Sequence, residues 1–503
     1  MKAAAAYFFL CYFQFILGAQ TVTFEKNIDF SLNIEQATSV LAEQDGYVIC
    51  GFGSEQDFGG FYAVRLVKTD LLGNIIWSKN AGKDSSNFYS GIQGSLIKMS
   101  DGGYVLGGSI EKIPSLERDA MLIRFDSSGD TVFTKFFGGA NDDEAYSCIT
   151  TSDSGYAVLG YTKSRGDADG DYYLVKTDSA GIFQWDKTYG GNRRDGGLYI
   201  LPTNEGGFLL GGGGTIVNNR FQTYLIKTDE NGNATWDTTY GGGYPSCGAY
   251  ITPASDGYVF SSCTDSIKNS QGESAYLITR IDTAGNVIWQ KFFPHTKYSD
   301  ILMVREIASG GFIFCGRIED EIILKDVGWI TKLDEQGNIL WQRRYAHNNP
   351  NFSYGLSLSE LWDVQPTPDG GFVAVGFTAD ATADFWILKL DSLGCINGYC
   401  GLTDTNCYYQ PWPCEDTVGI KSVFVSSSLA DIYPNPSSET IFIDAKQNGC
   451  TIRLFNLLNQ EVFMTKLLQG KHPVSIAPLA PGLYLYVMRN SKNEIQTGKL
   501  IVE

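Results

Sequence analysis

The residue types best suited to chemistry are carboxylates on short turns. Asp167, Asp169 and Asp171 alternate with Ala168 and Gly170, and spaced carboxylates of this kind suit calcium, a hard cation that gathers oxygen ligands. The downstream glutamate that completes a helix-loop-helix calcium site is missing. Asp143 and Asp195 each stand four residues after the second glycine of a Gly-Gly pair, which points to hydrogen bonding at a strand start more than to catalysis. Other loop residues, acidic, basic and aromatic together, would suit a glycan or a protein partner. These are Glu55, Asp57, Phe58, Asn141, Asp142, Glu144, Arg165, Arg193, Arg194, Tyr298, Asn351, Phe352 and Tyr354. Two carboxylates that meet across a fold can also cleave a glycosidic bond, so the alternative expectation is a polysaccharide hydrolase using loop carboxylates. The three histidines, His295, His347 and His472, accompany no serine or cysteine motif, and the chain holds no G-x-S-x-G or glycine-rich lysine loop. No catalytic residue is assigned, and calcium is the one cofactor considered.

Cysteines and the chain start speak to compartment. Residues 1–20 present Lys2, an apolar run from Ala3 to Leu17, then Gly18 and Ala19. This predicts a signal peptide over 1–19, cut between Ala19 and Gln20, and the run is short for a membrane span. Ten of the 11 cysteines survive that cut, and an even number in an exported chain permits disulfides. Cys395, Cys400, Cys407 and Cys414 are expected to form two of them, in one of three connectivities. Zinc is the alternative there, but the spacing is wide and no histidine lies in the segment. Cys50, Cys148, Cys263 and Cys315 read as small buried hydrophobes in strands.

The elements that must position these residues are repeats. Asp/Glu-Gly-(Gly)-aromatic recurs at Tyr47, Tyr104, Tyr156, Phe208, Tyr258, Phe312 and Phe372. Each copy is followed by Asp-x-x-Gly, with its Asp at 70, 126, 178, 229, 282, 334 and 391, and then usually by a Trp strand. Seven copies built of short strands and tight turns predict a seven-bladed β-propeller over 20–397. They also place the 57 glycines among 503 residues, about 11% against a usual 7% or so. The seventh copy lacks its Trp strand, whereas Thr21–Lys26 resembles Trp77-Ser78-Lys79, so residues 21–30 should close the ring. A formal charge of −18 disfavours nucleic acid as a partner. Residues 173–212 resemble bacterial SBBP-type propeller repeats, which implies fold and not activity.

A Cys-containing linker over 398–425 leads to a different kind of segment at 426–503. There, period-two apolar strands broken by Asn, Gly and Pro predict a small antiparallel β-sandwich. Its Tyr433-Pro434-Asn435-Pro436, LFNLLNQEV and PGLYLYVM segments and its terminal Lys499 strand resemble the type A C-terminal sorting domain of the type IX secretion system. The resemblance carries over onto Tyr433, Pro434, Asn435, Pro436, Gly482, Tyr484 and Lys499. It implies export to the cell surface, contact with the secretion machinery and a sortase, and anchoring after removal of the domain. A secreted, surface-displayed propeller with a binding or adhesion role is the leading expectation.

Overall fold

The structure is a computed structural model. It describes residues 22–30, 34–55, 59–83, 85–217, 220–240, 249–264, 275–293, 299–320, 325–347, 358–379, 383–396, 402–403, 429–433, 437, 439–455, 461–490 and 495–502. Every regular element among them is a β-strand. The chain divides into two compact units, Met1–Cys414 and Glu415–Glu503.

In the first unit, seven antiparallel sheets follow one another among the described residues. The third is representative: Asp143–Thr150, Tyr156–Thr162, Asp171–Thr177 and Phe183–Tyr189 lie side by side in chain order. Its two middle strands are buried along their whole length while the fourth is half-exposed, because neighbouring sheets cover both faces of the middle strands. First strands of successive sheets pack against one another in an unbroken circle, from Glu35–Ala42 round to Leu358–Pro366 and back. This is a β-propeller. The last sheet takes its outer strand from the chain start: Phe24–Ile28 pairs antiparallel with Ala383–Leu390, Phe24 opposite Lys389. The sixth sheet gains a short fifth strand, Leu402–Thr403, on the outer edge of Ile339–Tyr345.

The repeated motif does two jobs. In its Asp-x-x-Gly turn, Asp70 Oδ1 accepts the N–H groups of Leu72 (2.9 Å) and Asn74 (2.8 Å), while Gly73 takes φ +74°. That left-handed conformation favours glycine. The same glycine is also the seat for an aromatic ring of the preceding sheet. A methyl group built on Gly129 would lie 2.6 Å from the Trp77 ring, on Gly232 2.9 Å from Trp185, and on Gly394 2.9 Å from Trp341. On Gly73 it would lie 2.6 Å from Phe24, so the N-terminal strand repeats the inter-sheet contact made elsewhere by the Trp strands. Lys26 Nζ donates to Asn74 Oδ1 (3.0 Å), much as Lys291 donates to Asn338 (3.0 Å).

A second regularity ties each sheet internally. A buried or part-buried cation on the third strand, two residues before the turn Asp, reaches the acid of the hairpin between strands one and two. The pairs are Lys68–Asp45 (2.6 Å), Arg124–Asp101 (2.5 Å), Lys176–Asp153 (2.8 Å), Lys227–Glu205 (2.7 Å), Arg280–Asp256 (2.6 Å) and Lys389–Asp369 (2.8 Å). In the sixth sheet Ser309 replaces the acid, and Lys332 instead lies 5.5 Å from the Phe372 ring.

The second unit has a three-stranded sheet (Ala430–Tyr433, Thr440–Ala445, Gly470–Ser475) and a four-stranded sheet (Glu461–Leu467, Cys450–Phe455, Gly482–Arg489, Ile495–Val502). Ile441, Ile443, Ile452, Leu454, Met488 and Leu500 fill the space between them, all at most 1% exposed.

Candidate functional site

The axis of the propeller is closed by a charged clasp. Asp363, on the seventh sheet's first strand, is fully buried. Its Oδ1 accepts Arg305 Nη2 (3.0 Å) and Nε (3.3 Å) from the sixth sheet, and its Oδ2 accepts the Val40 N–H (3.0 Å) from the first. Ser39 Oγ accepts the Leu96 N–H (3.2 Å) of the second sheet, and Tyr199 of the fourth donates to Gly94 O (3.3 Å). Burial pushes the Asp363 carboxyl up and Arg305 opposes it. Five sheets are knitted together here at one level.

A cavity of about 170 Å³ opens where first strands begin, the end that carries the variable loops. Thr38, Phe52, Tyr89, Arg118, Glu144, Tyr146 and Trp362, from the first, second, third and seventh sheets, line it. Phe52, Tyr62 and Tyr89 form an aromatic cluster with ring centroids 5.3 to 5.9 Å apart. Arg118 lies 5.3 Å above the Tyr89 ring and bridges Glu111 Oε2 (3.1 Å) and Glu144 Oε1 (3.1 Å). Tyr146 donates to Glu144 Oε2 (2.9 Å), and Trp362 Nε1 donates to Glu360 Oε2 (3.0 Å). Burial, with Glu111 adding to it, pushes the Tyr89 phenol up to about 12. The site thus presents ring faces, hydroxyls and a cation whose charge is already balanced. A shallower depression of about 380 Å³, lined by Phe136, Arg165, Tyr173 and Phe183, lies on the outer rim.

The loop residues singled out by sequence fall in several places. Glu144 lines the cavity, whereas Glu55 accepts from Arg65 (2.6 Å) and Asn80 (2.5 Å). Asn141 and Asp142 join the neighbouring loop through Ser164 Oγ (2.9 Å) and Lys163 (3.2 Å). Arg165 pairs with Asp186 (2.8 Å), Arg194 lies over Tyr161 (5.5 Å), and Arg193 is exposed. Asp143 Oδ2 accepts the Gly139 N–H (2.6 Å) and Asp195 Oδ2 the Gly191 N–H (2.5 Å) at the starts of their strands. Of the aspartate string, Asp171 is buried, Asp169 is exposed, and Asp167 donates its backbone N–H to Asp171 Oδ2 (2.8 Å). Among the described residues no three His, Cys, Asp or Glu side chains gather as a metal site. Asp57, Phe58, Tyr298, Asn351, Phe352 and Tyr354 lie outside the described residues, as do Ala19, Gln20, Cys400, Cys407 and Cys414. Cys395 is buried, and Cys50, Cys148 and Cys315 are buried free thiols, pushed up by burial. His347 Nδ1 lies 2.8 Å from Glu25 Oε1, which also accepts Trp386 Nε1 (2.9 Å), so it helps seat the closing strand.

In the second unit, Tyr433 is 39% exposed and shares the Lys471 ammonium with Phe442, at 4.9 and 4.1 Å from the two rings. Tyr484 is buried and donates to Ala480 O (2.8 Å); Gly482 opens the strand on which Tyr484 sits, and Lys499 stands opposite Leu485. Pro434, Asn435 and Pro436 lie outside the described residues.

Sequence reasoning missed the Lys/Arg clamp, although Lys/Arg-x-Asp-x-x-Gly is written in all seven copies. It also missed the Arg305–Asp363 clasp, for which no local pattern exists.

Residues 431–503 match the family described as secretion system C-terminal sorting domain. No curated protein matches the chain. Among solved structures, the β-propeller domain of the Trilobed protease from Pyrococcus furiosus is similar at 8% identity and a TM-score of 0.38, over 73% of this chain and 97% of that one. A puromycin hydrolase is similar at 12% identity and a TM-score of 0.43, over 81% of this chain and 58% of that one. PorZ, a surface component of the type IX secretion system of Porphyromonas gingivalis, is similar at 9% identity and a TM-score of 0.18, over 95% of this chain and all of that one. The propeller assignment stands on the circle of sheets itself. Among the described residues no helix is long and apolar enough to cross a membrane. The chain is a β-propeller that carries a C-terminal sorting domain of the kind that directs type IX secretion.

Proposed function

We propose that the chain is a seven-bladed, surface-displayed propeller that binds a saccharide or protein ligand at the mouth of its axis. A sortase would remove the sorting domain after translocation and leave the propeller anchored outside the cell. The mouth cavity carries this reading: aromatic rings for stacking, Thr38 and Tyr146 hydroxyls, and Arg118 neutralised by two glutamates. Among the described residues the cation lining the cavity, Arg118, is already paired with Glu111 and Glu144, and in an acidic chain such a mouth suits a neutral sugar better than an anionic one. Hydrolysis needs two carboxyl groups across the scissile bond; among the described residues one carboxylate, Glu144, lines the cavity, and it is engaged by Arg118 and Tyr146. A disulfide pairing among Cys395, Cys400, Cys407 and Cys414 belongs to the same reading.

The test is a glycan array combined with a hydrolysis screen on the purified chain. Binding that is lost in Trp362→Ala and Tyr89→Ala supports the mouth. Release of reducing ends that disappears in Glu144→Gln would replace binding by hydrolysis.

A further inference from the structure

At two neighbouring seams, two aspartates converge on one glycine: the first residue or so of a sheet's third strand, and the first residue of the next sheet. A methyl group on Gly138 would lie 2.8 Å from Asp119 Oδ1 and 2.6 Å from Asp143 Oδ2. On Gly190 it would lie 2.3 Å from Asp171 Oδ1 and 2.6 Å from Asp195 Oδ2. The first pair has its own counter-charge, because Lys112 Nζ sits 2.5 Å from Asp119 Oδ2. At the second seam the corresponding carboxylate is differently placed. Asp171 is 6% exposed, its Oδ2 accepts the Asp167 N–H (2.8 Å), and its Oδ1 is buried with no hydrogen-bond partner. That orphaned oxygen and Asp195 Oδ2 crowd the same space beside Gly190, and Asp195 is itself fully buried. Burial, with Asp195 and Asp167 adding to it, raises the Asp171 carboxyl. A buried carboxylate oxygen without a partner is costly, and a neighbouring carboxylate adds repulsion.

We propose that the seam between the third and fourth sheets binds an oxygen-seeking divalent cation of the calcium class, held by Asp171 and Asp195. The ion does there what the Lys112 ammonium does one seam earlier. Of the Asp167-Ala168-Asp169-Gly170-Asp171 string only Asp171 supplies a side-chain ligand, and the second comes from the next sheet. Two carboxylates leave the remaining coordination to main-chain oxygens and water, so affinity belongs to the weak extracellular range, about 10⁻⁴ to 10⁻³ M.

The full chain, stripped with a chelator and titrated with calcium chloride, tests this by thermal unfolding and calorimetry. A saturable rise in Tm of about 2 °C or more at tenfold excess over Kd is expected. The rise should vanish in Asp171→Asn and survive in Asp119→Asn. Terbium substituted for calcium reads the wild type alone, through energy transfer from Tyr161, whose hydroxyl donates to Asp169 O (2.9 Å). No saturable rise and no sensitised emission would overturn the site. So would a rise that persists in Asp171→Asn. A metal-free Asp171→Asn chain more stable than the metal-free parent, with calcium giving the parent nothing, would show that the two aspartates share a proton instead.

Discussion

Replacing Phe24 by Ala removes the ring that the first sheet's turn rests on. Phe24 is 9% exposed, packs edge-on against Tyr47 with centroids 6.1 Å apart, and covers Gly73 as Trp77 covers Gly129. Truncating a buried Phe costs about 3–5 kcal/mol. Phe24 sits on an outer strand near the surface, so the lower end, about 3 kcal/mol, applies. With a urea m-value near 3 kcal/mol/M, that moves the denaturation midpoint down by about 1 M. The assay is urea unfolding of the chain from Gln20 onward, followed by tryptophan fluorescence. Phe24→Ala and Trp77→Ala should fall by similar amounts, because both break one inter-sheet contact of the same design. Deleting residues 20–32 should go further and abolish the single cooperative transition. An unchanged midpoint in Phe24→Ala, or a deletion variant that melts like the parent, would refute the closure reasoning.

Removing one member of the axial clasp, Arg305→Met, leaves Asp363 buried and uncompensated and should cost about 3–5 kcal/mol in the same urea assay; a neutral effect would mean the clasp merely fills space. Ser309→Asp should restore the clamp missing from the sixth sheet, adding about 0.5–1 kcal/mol beside Lys332, read as a higher Tm that Lys332→Met cancels. The clamps also set acid stability. Lys176 holds Asp153 down at about 2, and Lys68 lowers Asp45. A carboxyl lowered in the folded state contributes stability that is complete above its unfolded value, near 4, and is lost as pH falls towards 2. Asp153→Asn should therefore flatten part of the loss of urea midpoint between pH 4 and about 2 without changing its value trend above pH 5 or so. Truncation after Val425 should leave a folded propeller retained in the periplasm, checked by cell fractionation; normal surface display would defeat the sorting assignment.

What could be read from the chain was whatever repeats. The Asp-x-x-Gly turns, the hairpin glycines and the missing seventh Trp strand recur often enough to be compared with one another, and Phe24 and Lys26 stand out as the absent copy. The sorting segment was legible because its strands arrive in a fixed order. The axial clasp was not, since Arg305 and Asp363 meet only after the circle forms, and each looks like an ordinary strand residue. The mouth cavity is hidden for a related reason: Thr38, Tyr146 and Trp362 occupy the same bulged position of their first strands but differ in chemistry from copy to copy, and Tyr89 joins them from a fourth sheet only after packing. Asp171 was visible as an acid, but its orphaned oxygen and its partner Asp195 emerge only from packing. The Lys/Arg clamp lay in plain view, as a charge on an otherwise apolar strand.

Pairing the chain start with the seventh sheet has a consequence for timing. Asn27 and Asp384 are hydrogen-bonded although 357 residues apart, and Glu25 reaches Trp386 across 361. Contacts of such long range are slow to form, since loop closure must come before they reward it. Phe24–Ile28 is synthesised before every other described strand yet must wait for the seventh sheet before it can dock. A partly emerged chain is therefore an open arc with two unsatisfied strand edges, vulnerable to pairing with other chains. The sorting domain comes after the seventh sheet in chain order, so the export address is made only once the ring is able to shut.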